Sequence, residues 1–189
     1  MKKIDLSKSF ILVLAGVALV ACSNTSRREE PQLSNRLQEQ QVDAAARNNA
    51  SFVSTVQFER GSKAVPATSS ERLRELVMNA KASGKIEEIR VAVWADETYP
   101  STSKKRLSSE QRKLAKERAA NIEDFLKKDL DVDDVETFNM AERPNMVENF
   151  FNTSDAKVKR ALESSGMTAN ADVLADSTSK ATVMIIMED

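Results

Sequence analysis

Ile89-Arg90-Val91-Ala92-Val93-Trp94-Ala95-Asp96, followed further along by Leu114-Ala115-Lys116-Glu117-Arg118-Ala119-Ala120-Asn121-Ile122, is the stretch whose reading decides the fold. In the first part Ile89, Val91 and Val93 alternate with Arg90, Ala92 and Trp94, the period of a strand with two differently furnished faces. In the second part Leu114, Ala115, Ala119, Ile122 and Leu126 fall in one stripe about 140° wide at helical spacing. Ser108-Ser109-Glu110-Gln111 ahead of it has the form of a capping box and opens a helix running to about residue 128. Two charged residues stand out. Asp96 closes the strand, and Arg118 sits inside the apolar stripe together with Gln111. An arginine on such a face must extend to solvent or find a carboxylate. The pair is therefore either a structural salt bridge or a ligand site with complementary charges.

The flanking sequence builds a domain around this unit. Residues 52–58 are β-rich and partly alternating, and Gly61 and Pro66 break them. Thr68-Ser69-Ser70-Glu71 reads as a second capping box, with Leu73, Leu76, Val77 and Ala80 spaced as a helix that ends at Ser83-Gly84. The strand continues over 86–95, and residues 97–107, with Pro100 and many Ser and Thr, read as a loop. Asp133–Met140 is a third strand and Ser154–Ser165 a modest helix with Val158, Ala161 and Leu162 inward. Ala181–Met187 is an unbroken apolar strand, which belongs at the centre of a sheet. The class expected is α+β, a β-α-β-α-β two-layer sandwich with a mixed sheet and its helices on one face, plus an extra helix inserted before the last strand.

The N-terminal region has a different character. Lys2, Lys3 and Lys8 precede an apolar run from Phe10 to Ala21, which is shorter than the ~20 residues a bilayer span requires. The run stops at Leu19-Val20-Ala21-Cys22, which resembles the bacterial lipoprotein lipobox. That resemblance implies a signal peptide at 1–21, acyl chains such as palmitate on Cys22, and export. Ser23 in place of aspartate then favours the outer membrane. Residues 22–51 read as a flexible periplasmic tether and 52–189 as the domain. The formal net charge is −1 and falls further once three lysines and one aspartate leave with the signal, so no basic field for nucleic acid exists. There are no histidines, and Cys22 is the lone cysteine, which excludes imidazole-based catalysis and an intrachain disulfide. Asp129, Asp131 and Asp133 start like an EF-hand loop, but Asp134 and Met140 occupy the glycine and glutamate positions. Neither an enzyme, a cofactor nor a metal site is expected.

The strand-loop-helix unit resembles the C-terminal domain shared by outer-membrane protein A and the peptidoglycan-associated lipoprotein, the OmpA-like family. There an apolar strand ends in Gly-His-Thr-Asp, and a helix of the form Leu-Ser-x-x-Arg-Ala-x-x-Val follows. Here the strand ends Val93-Trp94-Ala95-Asp96, and the helix reads Leu114-Ala115-Lys116-Glu117-Arg118-Ala119-Ala120-Asn121-Ile122. The resemblance spans roughly 52–187 and implies that Asp96 and Arg118 hold the diaminopimelate unit of a peptidoglycan stem peptide, acid to ammonium and guanidinium to carboxylate. It implies a lipoprotein linking outer membrane to wall without a covalent bond, with peptidoglycan and the membrane as partners and the domain facing the periplasm. Trp94-Ala95 in place of His-Thr, a longer Asp-to-Arg loop and an enlarged 145–178 region depart from the pattern. They leave open the alternative, a structural or protein-interaction module of the envelope that engages a protein partner and not peptidoglycan.

Overall fold

The structure, a computed structural model, describes residues 42–43, 45–97, 99, 105–144, 153–164 and 179–188. The expected signal peptide, Cys22 and the tether up to residue 41 lie outside the described residues. Seven main elements follow in order: β1 (Phe52–Gln57), α1 (Ala67–Ser83), β2 (Ile86–Val93), α2 (Ser109–Asp124), β3 (Val135–Asn139), α3 (Ser154–Ser164) and β4 (Lys180–Met187). A single π turn, Phe125–Asp129, continues α2. The strands form one sheet in the order β1-β4-β2-β3. β4 pairs antiparallel with β1 and β2, while β2 and β3, joined through α2, run parallel. The sheet is mixed and the class is α+β. The order of strands and helices is the one that the OmpA-like resemblance implies.

The apolar run of the last strand finds its explanation in that order. β4 lies between two neighbours, and all its residues except Met187 are buried. Its odd-numbered residues Ala181, Val183 and Ile185 join Ile89, Val91 and Val93 of β2 and Leu73, Val77, Ala119, Ile122 and Leu126 of the helices in the main core. Full burial of each large aliphatic side chain contributes ~1.5–3 kcal/mol, so this layer supplies most of the driving force. The even-numbered set faces the other way. Ala92, Trp94 and Met184 pack with Phe138, Met140, Val158 and Leu162.

That second cluster places α3 on the opposite side of the sheet from α1 and α2. The expectation that the helices share one face holds for α1 and α2 only. Trp94 and Met184 are the reason: two large apolar side chains on the outer face need a cover, and the inserted helix supplies it.

Two local expectations also change. α1 begins at Ala67, so Thr68 is already inside the helix and does not cap it. Pro66, with its fixed φ, occupies the cap position, and its carbonyl accepts from the amides of Ser69 and Ser70. At α2, Ser108 caps as expected, its hydroxyl accepting from the Gln111 amide at 3.3 Å. The end of the segment read as a tether is docked on the domain. Ala45 and Asn48 are buried, Ala50 packs on the outer cluster, and the Ser51 amide donates to the Ile185 carbonyl at 2.8 Å.

Candidate functional site

Asp96 lies just beyond the end of β2, and its backbone amide donates to Gln111 Oε1 at 2.9 Å. Gln111 therefore does not reach back to its own helix start as a capping box would; its side chain ties the strand end to α2. Arg118 is two turns further along that helix, on the face that also buries Ala115, Ala119 and Ile122. The two charged residues meet: Arg118 Nη2 donates to Asp96 Oδ1 at 2.6 Å.

The remaining donors of the guanidinium are engaged almost completely. Nε donates to the Ser62 carbonyl at 2.7 Å, Nη1 to the Trp94 carbonyl at 3.0 Å, and Nη2 also to the Glu59 carbonyl at 3.2 Å. The Phe58 ring lies under the guanidinium carbon, 4.6 Å from its centroid. Arg118 is 0% exposed, the largest side chain so deeply buried among the described residues. Such an arginine would cost several kcal/mol in an apolar interior, and a carboxylate plus three carbonyls offset that cost.

Asp96 is satisfied in the same manner. Oδ1 also accepts from the Ser179 hydroxyl at 2.6 Å, and Oδ2 accepts from the Gly61 amide at 2.5 Å. Burial acts to raise the pKa of this carboxyl. The hydrogen bonds from Ser179, Gly61 and Arg118, with the arginine's charge, outweigh it, and the pKa lies below its ordinary 3.8. The arrangement gathers the turn after β1, the end of β2, the face of α2 and the start of β4. Gly61 has a φ of +75° in that turn, and Ser179, a non-glycine residue, has a φ of +55°. Ser179 is pinned on three sides, since its amide donates to the Ala95 carbonyl and its own carbonyl accepts from the Phe58 amide.

The structure thus brings the two residues singled out in the sequence into direct contact, but against each other and beneath a closed turn. Ser179 and the turn Glu59–Ser62 were not legible as site residues. Their contribution is mostly backbone, and a carbonyl or amide carries no residue-type signal. Lys180, at the start of β4, is buried and holds its ammonium 5.3 Å from the centroid of the Trp94 ring, on the outer face.

Among solved structures, the OmpA-like domain of FopA1 from Francisella tularensis subsp. tularensis SCHU S4 is similar at 10% identity and a TM-score of 0.39, over 71% of this chain and 72% of that one. A putative MotB like protein from Desulfovibrio vulgaris is similar at 14% identity and a TM-score of 0.33, over 85% of this chain and 93% of that one. No family model matches the sequence, and no curated protein matches it. Both TM-scores are low, and the α+β assignment rests on the sheet order and register of this chain itself. No helix among the described residues is long and apolar enough to cross a membrane.

Proposed function

We propose that this chain is an outer-membrane lipoprotein, anchored through Cys22, whose domain serves as a structural or protein-interaction module with Asp96 and Arg118 as an internal clamp. The observation that carries this reading is the state of Arg118, fully buried with its donors on Asp96, Glu59, Ser62 and Trp94. A guanidinium that recognises a carboxylate ligand presents two parallel N–H groups to it. Here that would require giving up charge-assisted hydrogen bonds worth ~1.5–3 kcal/mol each. The clamp instead joins four segments that the sequence keeps far apart, which is a structural task.

One observation favours a second reading. Residues 22 positions apart converge with opposite charges at one end of the sheet. If the turn Glu59–Ser62 swings away, Asp96 and Arg118 become available to an ammonium and a carboxylate. The domain would then bind peptidoglycan without a covalent bond and link membrane to wall.

Sedimentation with purified sacculi separates the two. The full mature chain carrying Cys22→Ser, to keep it soluble, is compared with the same chain carrying Arg118→Lys or Asp96→Asn, each checked for folding by circular dichroism. The expected result is that the parent chain stays in the supernatant. Sedimentation of the parent that a folded Arg118→Lys variant loses would overturn the module reading in favour of wall binding. The anchor has its own test. Cys22→Ser in cells should release the protein from membranes, and persistent tight membrane association would refute lipidation.

A further inference from the structure

On the outer face of the sheet, beside α3, lies an open cleft of about 310 Å³ lined by Arg47, Asn48, Asn49, Arg90, Lys157 and Val158. Three cationic side chains from three separate elements meet there: one from the segment before β1, one from β2 and one from α3. Among the described residues no carboxylate lines the cleft itself, and Asp43 and Glu88 pair with two of its three cations from beside it. This concentration of cationic side chains stands out in a chain whose formal net charge is −1.

The cations differ in how far their charge is met. Arg47 pairs with Asp43 at 2.9 Å, one helical turn away, with both side chains about half exposed. Such a surface pair is worth less than about 1 kcal/mol and yields readily to a better anion. Arg90 pairs with Glu88 at 2.7 Å and reaches the Asn48 carbonyl from Nη1 at 3.5 Å, while its Nε is buried with no hydrogen-bond partner among the described residues. Lys157 is exposed and forms no ion pair among the described residues. A buried guanidinium donor left unmatched costs free energy, and with Arg47 and Arg90 each holding one carboxylate the ammonium of Lys157 leaves about one positive charge at the cleft. An anion seated among the three cations would meet both.

We propose that this cleft binds a phosphate group, and that its source is the headgroup of an anionic phospholipid. The ligand class follows from the lining. Two guanidinium groups and an ammonium, with two asparagines beside them, suit a group with several acceptor oxygens and a negative charge. The volume is at the small end for ligand sites and matches a headgroup better than a large metabolite.

The choice of source rests on the proposed anchor at Cys22. Arg47, Asn48 and Asn49 belong to the part of the domain that a chain arriving from Cys22 reaches first. A flexible tether of that length, as the sequence suggests for residues 22–51, would span on the order of 25–30 Å and would keep the cleft within reach of the bilayer surface at millimolar effective concentration. A weak headgroup site would then orient the domain on the membrane, which the anchor alone does not do.

The test uses the full mature chain with Cys22→Ser, so that its outcome does not depend on lipidation. Titration with inorganic phosphate should shift the backbone amide resonances of Asn48, Asn49 and Arg90. The chain should also co-sediment with phosphatidylcholine vesicles that contain phosphatidylglycerol, and not with phosphatidylcholine alone. Lys157→Gln and Arg47→Gln change exposed side chains, and each should weaken both interactions about fivefold. Phosphate binding with no preference for the anionic vesicles would overturn the lipid source and assign the cleft to a soluble phosphate compound. Vesicle binding that neither substitution weakens, or no response to phosphate or vesicles, would overturn the site. Sedimentation with sacculi that Lys157→Gln abolishes would overturn it in favour of the wall.

Discussion

Two arginines, one on each side of the same sheet, have opposite circumstances. Arg118 is buried within the main core layer, and its four hydrogen bonds run to one carboxylate and three carbonyls. Arg90 sits on the outer face with a quarter of its side chain exposed, an ion pair with Glu88 and, among the described residues, no partner for its Nε. The first has exchanged water completely for protein; the second has lost water without full replacement. A side chain in the first state stabilises a fold and has little left to offer a ligand. A side chain in the second is where a ligand improves matters. Chemical type alone would have ranked them the other way, because Arg118 has the Asp96 partner that the OmpA-like pattern implies.

The largest effect is expected from unpairing the clamp. Arg118→Met keeps much of the aliphatic stem but leaves Asp96 buried with only the Ser179 hydroxyl and the Gly61 amide. Loss of one partner of a buried pair costs about 3–5 kcal/mol, to be read from urea denaturation. A loss below about 1 kcal/mol would show that the pair is not a clamp. Asp96→Leu combined with Arg118→Met should cost clearly less than the two single losses added, because no charge remains stranded.

The same pair sets a pH dependence. The Asp96 pKa is depressed in the fold, so its contribution is fully present above the unfolded value near 3.8 and is lost as pH falls through the lower folded value. Parent and Asp96→Asn chains should therefore converge in melting temperature as pH drops below about 4. A constant gap between neutral pH and pH 3 would contradict the charged state of Asp96.

A smaller loss is expected from Ser179→Ala, which removes the 2.6 Å hydroxyl donor to Asp96 while keeping a side chain at a left-handed φ. About 1–2 kcal/mol should go, in the range for a hydrogen bond to a charged group. Ser179→Gly loses the same bond but relaxes the backbone, so it should be the milder substitution if strain at this position is real. Thermal melts of the pair of variants decide it.

Much of this architecture was legible from residue patterns because burial acts on side chains. The alternation at 89–94 assigned Val91 and Val93 to one face and Ala92 and Trp94 to the other, and the two clusters divide in that way. The apolar run at 181–187 placed β4 centrally. The stripe on α2 put Arg118 inside and raised the choice between salt bridge and ligand site. What closed the site could not be read. The Glu59, Ser62 and Trp94 carbonyls and the Gly61 amide belong to backbone whose path depends on the whole sheet, and Ser179 looked like one polar residue among many. The side taken by α3 was equally hidden, since Val158 and Leu162 state that the helix has an inner face but not which surface it meets.

Arg90 gives the smallest expected effect and the sharpest contrast. Arg90→Met removes a partly exposed ion pair with Glu88, which contributes up to about 1 kcal/mol, and at the same time removes a buried donor that has no partner among the described residues. These changes oppose each other, so stability should move by less than about 1 kcal/mol in either direction, against the several expected for Arg118→Met. A cost approaching that of Arg118→Met would mean that Arg90 is as fully engaged as its counterpart. The distinction between a satisfied arginine and one with unmet bonding capacity would then fail, and with it the case for treating the outer cleft as a place where an anion belongs.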